Sequence, residues 1–135
     1  MYKNKYALIT GAGGLLGIQH ASALAEIGCN IVLIDIKRKG KSKLDIILKK
    51  LKRKYSNLKI LGLDCDISSE KQVKSIQRKL NQKKIFIEIL VNNADKNPKM
   101  DKKKEQYTGR VEDYKISDLK DELNVGLIGT FICCK

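Results

Sequence analysis

Tryptophan is absent from these 135 residues, phenylalanine occurs twice and tyrosine five times. A core built without large rings must rest on Ile, Leu, Val and Ala, and few flat side chains remain on which nucleic-acid bases could stack. There is one histidine and one proline. His20 has no ligand partner at a useful spacing, and Cys29, Cys65, Cys133 and Cys134 form no Cys-x-x-Cys pair, so no metal site is expected. Cys29 and Cys65 lie beside apolar runs, where a free cysteine behaves as a small hydrophobe. Reduced thiols in a cytoplasmic protein are the simplest reading. No apolar run approaches the ~20 residues that span a bilayer, and Met1-Tyr2-Lys3-Asn4-Lys5 leads directly into a strand rather than a signal peptide.

What is abundant is lysine. The formal net charge is +13. Such charge can mean nucleic acid or an acidic membrane surface. Here the lysines are spread over most helical and loop segments, without interleaved aromatics, and they accompany Ile and Asn as in AT-rich coding. Neither a nucleic-acid partner nor a membrane is expected, although a basic nucleic-acid-binding protein remains the competing class.

The length suits one domain, 1–135, with a normal apolar fraction and therefore a folded core. Tyr6-Ala7-Leu8-Ile9-Thr10 is apolar without polar alternation, which suits a strand buried on both faces. A glycine loop follows. A helix is predicted over 15–27, with Leu16, Ala21, Leu24 and Ala25 on its apolar stripe and Gly28 as its stop. Asn30-Ile31-Val32-Leu33-Ile34-Asp35 is a second buried strand. Strand, tight turn, helix and strand make one βαβ unit. After a basic linker over 37–43, a helix is predicted over 44–55, a strand over 59–64, and a third helix after the turn Asp66-Ile67-Ser68-Ser69. Ser69 and Gln72 suggest a capping box. A fourth strand is predicted over 86–91, then a long polar loop over 95–113, then a helix capped by Ser117 and running through Leu119, Leu123, Leu127, Ile128, Phe131 and Ile132. Strands alternating with helices give an α/β fold: a Rossmann-type doubly wound parallel sheet, expected to end here after about four strands.

The loop Thr10-Gly11-Ala12-Gly13-Gly14-Leu15-Leu16-Gly17 carries the chemistry. A pyrophosphate needs its charge met without bulk, and backbone N–H groups at a helix N-terminus, aided by the helix dipole, do this. Gly11 allows the tight turn, Gly14 allows close backbone approach, and Gly17 lets helix and sheet pack closely. Asp35 ends the second strand eighteen residues after Gly17. Its carboxylate can accept hydrogen bonds from adenosine ribose hydroxyls and repels a 2′-phosphate, which favours NAD over NADP. Lys37 and Arg38 follow directly and attract a 2′-phosphate, so the residues leave NADP open.

Four stretches, in this order, make the sequence resemble the short-chain dehydrogenase/reductase family. Thr10 to Gly17 resembles its cofactor loop, including Gly13, Leu15 and Leu16. Asp66-Ile67-Ser68 resembles the turn whose aspartate holds the adenine. Asn92-Asn93-Ala94 resembles the Asn-Asn-Ala-Gly motif that closes the fourth strand. Asn124-Val125-Gly126-Leu127-Ile128-Gly129-Thr130-Phe131 resembles the helix carrying the active-site asparagine. The resemblance implies cofactor contacts from Gly11, Gly13, Gly14, Leu15, Leu16, Gly17, Asp35, Asp66, Ile67, Asn93 and Ala94, and places Asn124 in the catalytic set. Two departures stand out. Leu15 occupies a position where many members have glycine, and Asp95 replaces the glycine after Asn-Asn-Ala.

Family members transfer hydride between a carbonyl or alcohol carbon and the nicotinamide. A tyrosine serves as general acid/base, a lysine four residues on lowers its pKa, and a serine orients the substrate. Those residues are expected beyond Lys135. Tyr55 and Lys59 have the tyrosine–lysine spacing but precede the third strand, so they are read as helix-end and strand-start residues. The segment from Asn97-Pro98-Lys99 to Asp113-Tyr114, with the ending Phe131-Ile132-Cys133-Cys134-Lys135, also resembles members found with bacterial surface-sugar and flagellin-modification genes, which implies a small carbonyl or alcohol substrate derived from a sugar. The expected function is an NAD(P)-dependent oxidoreductase whose proton-transfer groups are missing from 1–135. The alternative is a dinucleotide-binding module without catalysis. An apolar edge at the fourth strand is expected to favour self-association.

Overall fold

The computed structural model describes residues 2–36, 43–96 and 110–135. Most of the expected basic linker, with Lys37 and Arg38, and the loop segment containing Pro98 lie outside them. Four strands, β1 (Tyr6–Thr10), β2 (Asn30–Asp35), β3 (Ile60–Asp64) and β4 (Ile87–Val91), form one sheet in the order β3-β2-β1-β4. Every pairing is parallel: Tyr6 lies opposite Asn30 and Ile87, and Ile31 opposite Ile60. Three helices connect them, α1 (Leu15–Glu26), α2 (Lys43–Lys54) and α3 (Glu70–Gln82). A short 3-10 turn, Val111–Asp113, then leads to a bent helical stretch: α4 (Ile116–Leu123), a π-helical segment (Asn124–Gly129) and α5 (Thr130–Cys134).

The unbroken apolar strands have a direct cause. Side chains alternate between faces along a strand, and here both faces are covered. Ala7, Ile9, Ile31 and Leu33 pack with Ala21, Ala25, Leu44 and Leu51 of α1 and α2. Leu8, Val32 and Ile34 pack on the other side with Ile76 and Leu80 of α3, with Val125 and Cys133 resting against them. The sheet is doubly wound. Its order reverses between β1, which leads to β2, and β4, so a crevice opens at the C-terminal ends of these strands.

Local expectations differ from the structure at four places. Leu16 does not join the buried stripe of α1; it is 61% exposed, and Gly17, Ala21 and Ala25 form the buried face. Small residues one turn apart let the helix axis lie close to the sheet. Ser69 caps α3 by accepting from the Gln72 N–H at 3.4 Å, but the Gln72 amide accepts from the Asp66 N–H at 2.9 Å instead of closing the box on Ser69, whose own N–H goes to the Asp66 carbonyl. Ser117 is no cap: α4 starts at Ile116, preceded by Lys115 without a side-chain cap. The final helix is not a regular α-helix, since six residues from Asn124 widen into a π turn. Tyr55 is structural, as its position implies. Its hydroxyl lies 3.1 Å from Glu26 Oε1 and 3.4 Å from the Ser22 carbonyl, tying α2 to α1.

Candidate functional site

The crevice at the strand C-termini is a cleft of about 940 Å³. Its lining brings together segments far apart in sequence: the glycine loop, the end of β2 at Asp35, the turn at Asp66 and Ile67, the segment Asn93–Lys96 after β4, and Asn124 on the π segment. Of the expected site residues, Gly11, Gly13, Gly14, Leu15, Leu16, Asp35, Asp66, Ile67, Asn93, Ala94 and Asn124 all line it. Gly17 does not; it lies beneath the loop.

The glycines divide into distinct roles. Gly11 has φ +63°, the left-handed region that side chains disfavour, and a Cβ there would meet Ala94 Cα at 2.7 Å. It lets the loop cross against the end of β4. A Cβ on Gly17 would meet the Gly11 carbonyl oxygen at 2.5 Å and Ala12 Cα at 2.7 Å, so Gly17 lets α1 pack onto its own loop. A Cβ on Gly13 would meet Asp35 Oδ2 at 2.6 Å. Gly14 is different: its Cβ would touch only the Gly11 carbonyl, at 3.2 Å, and otherwise face open space. Gly14 precedes the first turn of α1, which has neither a side-chain cap nor an acidic residue. First-turn N–H groups lack helical partners and carry the positive end of the dipole. A close backbone, an uncapped helix and bare space above Gly14 fit a diphosphate. Leu15 and Leu16, largely exposed, offer apolar walls.

Asp35 is already engaged with the loop. Its Oδ2 accepts from the Gly13 N–H at 2.5 Å and its Oδ1 from the Ile36 N–H at 2.7 Å. The carboxylate thus holds the loop's position as well as facing the cleft. Asp66 shapes its own turn, accepting from the Ser68 N–H at 3.0 Å and the Ser68 hydroxyl at 2.6 Å. Ile67 is 4% exposed, and a Cβ on Gly129 would meet its side chain at 2.8 Å. The turn therefore anchors the π segment.

Thr10 organises the other side of the loop, a role that sequence reasoning missed. It is fully buried. Its Oγ1 accepts from the Asn93 and Ala94 N–H groups, both at 3.0 Å, and donates to the Val91 carbonyl at 3.4 Å. Asn93 reciprocates: its Nδ2 donates to the Thr10 and Gly11 carbonyls at 3.0 and 3.2 Å. The Asn93 side chain therefore positions the glycine loop. A threonine at the end of an apolar strand, followed by glycine, was the available signal. Lys43 was also missed; it enters the lining because α2 begins beside Gly13.

Four aspartates (Asp35, Asp66, Asp95, Asp121) and two lysines (Lys43, Lys96) line the cleft. Lys96 pairs with Asp121. Cys65, at the cleft floor, is 2% exposed, and burial, with Cys133 nearby, pushes its thiol up to about 11. It is not a nucleophile at neutral pH. Among the described residues no cluster of His, Cys, Asp or Glu could hold a metal, and no helix is long and apolar enough to cross a membrane.

Fold and cleft define a doubly wound α/β protein with a glycine-loop crevice at its switch point. The family model for short chain dehydrogenases matches residues 5–135, and the chain belongs to that family. Its curated relatives include the human polyprenol dehydrogenase, 30% identical over 67% of this chain and 27% of the relative, and the very-long-chain 3-oxoacyl-CoA reductase of Podospora anserina, 33% identical over 68% and 26%. Among solved structures, NAD+-bound xylitol dehydrogenase superposes with a TM-score of 0.78 at 27% identity, covering 98% of this chain and 46% of that one. The chain thus spans between about a quarter and a half of the length of these relatives.

Proposed function

We propose that residues 1–135 form one dinucleotide-binding domain, and that it serves hydride transfer between a nicotinamide cofactor and a small carbonyl or alcohol substrate. The observation that carries this reading is the cradle above Gly14, built by Thr10, Gly11, Gly17 and Asn93 at the switch point of the sheet. In it the diphosphate rests on the first turn of α1, the adenosine lies between Asp35 and the Asp66–Ile67 turn, and the nicotinamide end extends over Ala94 toward Asn124. NAD is favoured over NADP, because the described lining is net acidic and Asp35 faces the ribose.

The bound cofactor supplies the hydride acceptor or donor. The chain's own residues bind and orient it, and Asn124 holds a water or substrate group by hydrogen bonding. Among the described residues no tyrosine lines the cleft, and on this reading these 135 residues alone bind without turnover. A sugar-derived alcohol is the favoured substrate class; the likeness to a xylitol dehydrogenase supports it alongside the resemblance to surface-sugar enzymes.

Titration with NADH and NADPH, read by nicotinamide fluorescence and calorimetry, tests the reading. Saturable binding with preference for NADH is expected. Tight, salt-sensitive binding of a DNA duplex without dinucleotide binding overturns it.

Self-association is part of the same proposal. Among the described residues β4 pairs with β1 alone, so the backbone groups along its other edge have no strand partner, while Ile87, Ile89 and Val91 are partly buried on the faces of the sheet. Sedimentation velocity is expected to show concentration-dependent dimers; a single monomeric species throughout refutes the edge-pairing idea.

A further inference from the structure

We infer that Asp95 sets the redox-state preference of the cleft, making it bind the oxidised, cationic form of a nicotinamide more tightly than the reduced form; this rests on the dinucleotide reading above. The backbone of Asn93 and Ala94 is pinned to Thr10 Oγ1, and Ala94 lies against Gly11. Asp95 therefore emerges beside the glycine loop, on the side away from Asp35, which is the side of β4. A dinucleotide crossing a switch point with its adenosine ribose at Asp35 carries its other nucleoside over β1 and β4.

The Asp95 carboxylate stands between the end of β4 and the π segment. Its Oδ1 accepts from the Lys96 N–H at 2.8 Å, and a Cβ on Gly126 would meet that oxygen at 3.2 Å. The neighbouring ammonium does not neutralise it, because Lys96 pairs with Asp121. Among the described residues lining this end of the cleft, the carboxylates of Asp95 and Asp121 then face the one ammonium of Lys96, which leaves one net negative charge near Asn124. An oxidised nicotinamide ring carries one positive charge, and a reduced ring carries none. At separations of several ångströms and surface-like screening, Coulomb attraction then favours the oxidised form by roughly tenfold.

The test measures NAD+ by calorimetry and NADH by fluorescence on the wild-type chain, Asp95→Asn and Asp95→Gly, with circular dichroism melting to verify folding. The wild type is expected to bind NAD+ about tenfold tighter than NADH. Both variants should bring the ratio near one, chiefly by weakening NAD+, and added salt should shrink the wild-type ratio. If both redox forms bind and the ratio is unchanged in the variants, Asp95 has no such role. If the wild type binds neither form, the dinucleotide reading fails, and this inference fails with it.

Discussion

Removing the Thr10 hydroxyl should uncouple β1 from the end of β4. Thr10→Val keeps the buried shape but deletes the acceptor of two N–H groups, those of Asn93 and Ala94, each bound at 3.0 Å. A buried donor left without a partner costs about 1–3 kcal/mol. Both groups are only part-buried, so water recovers some of this, and the lower end of the range applies to each. The expected loss is about 2–3 kcal/mol, a large share of the ~5–15 kcal/mol that holds a domain together. Thr10→Ser retains the acceptor and removes one methyl group, costing about 1 kcal/mol. Urea denaturation followed by circular dichroism separates the two. With an m-value near 2 kcal/mol/M, the Thr10→Val midpoint should fall by roughly 1–1.5 M and the serine midpoint by about half a molar. The reasoning is refuted if valine is tolerated as well as serine, because shape rather than the hydroxyl would then hold the two strand ends together.

The glycines offer a paired contrast. Gly17→Ala places a Cβ against the Gly11 carbonyl and Ala12 Cα, backbone atoms that cannot swing aside. It should cost about 1–3 kcal/mol in denaturation and also weaken NADH. Gly14→Ala meets far less and has an ordinary φ of −80°. It should leave stability within about 1 kcal/mol while weakening NADH about tenfold, as seen by fluorescence titration. Cys65 makes stability depend on alkaline pH. Its thiol stays protonated to about 11 when folded, against an ordinary 9.0. Between those values the native state binds more protons than the unfolded state, so stability falls as pH rises from 9 to 11. Cys65→Ala should flatten that slope in urea melts taken across the window, and an unchanged slope would assign it elsewhere.

Much of the fold was legible because the signals are local. The strands at Tyr6–Thr10 and Asn30–Asp35 were found residue for residue, since four consecutive apolar residues, Tyr6 to Ile9 and Ile31 to Ile34, each flanked by polar or charged residues, admit little else. Helix and strand limits elsewhere moved by only one or a few residues. The four motifs also converge on one cleft, as the order of strands and helices demands. The misses were positional. Leu16 matched a helical stripe by spacing, yet the sheet took the smaller Gly17–Ala21–Ala25 face. Ser117 suited a cap by type, yet its helix began one residue earlier. Nothing in Asn124–Gly129 announced a π turn, in which Gly126 and Gly129 lie close against Asp95 and Ile67.

By itself the sequence determined the parallel α/β class, the glycine loop, the carboxylate at the end of β2 and the family. Each depends on residue type at fixed spacing along one strand, turn or helix. Only the tertiary structure decided that Thr10 and Asn93 bind the loop to β4 and that a Cβ on Gly14 would meet the Gly11 carbonyl and otherwise face open space. It also decided that Asp95 stands beside a lysine already paired with Asp121. Those facts depend on distances between segments well separated in the chain, from the 25 residues between Lys96 and Asp121 to the 83 between Thr10 and Asn93. Spacing along a chain cannot encode which donor meets which acceptor until strands β1 and β4 lie side by side.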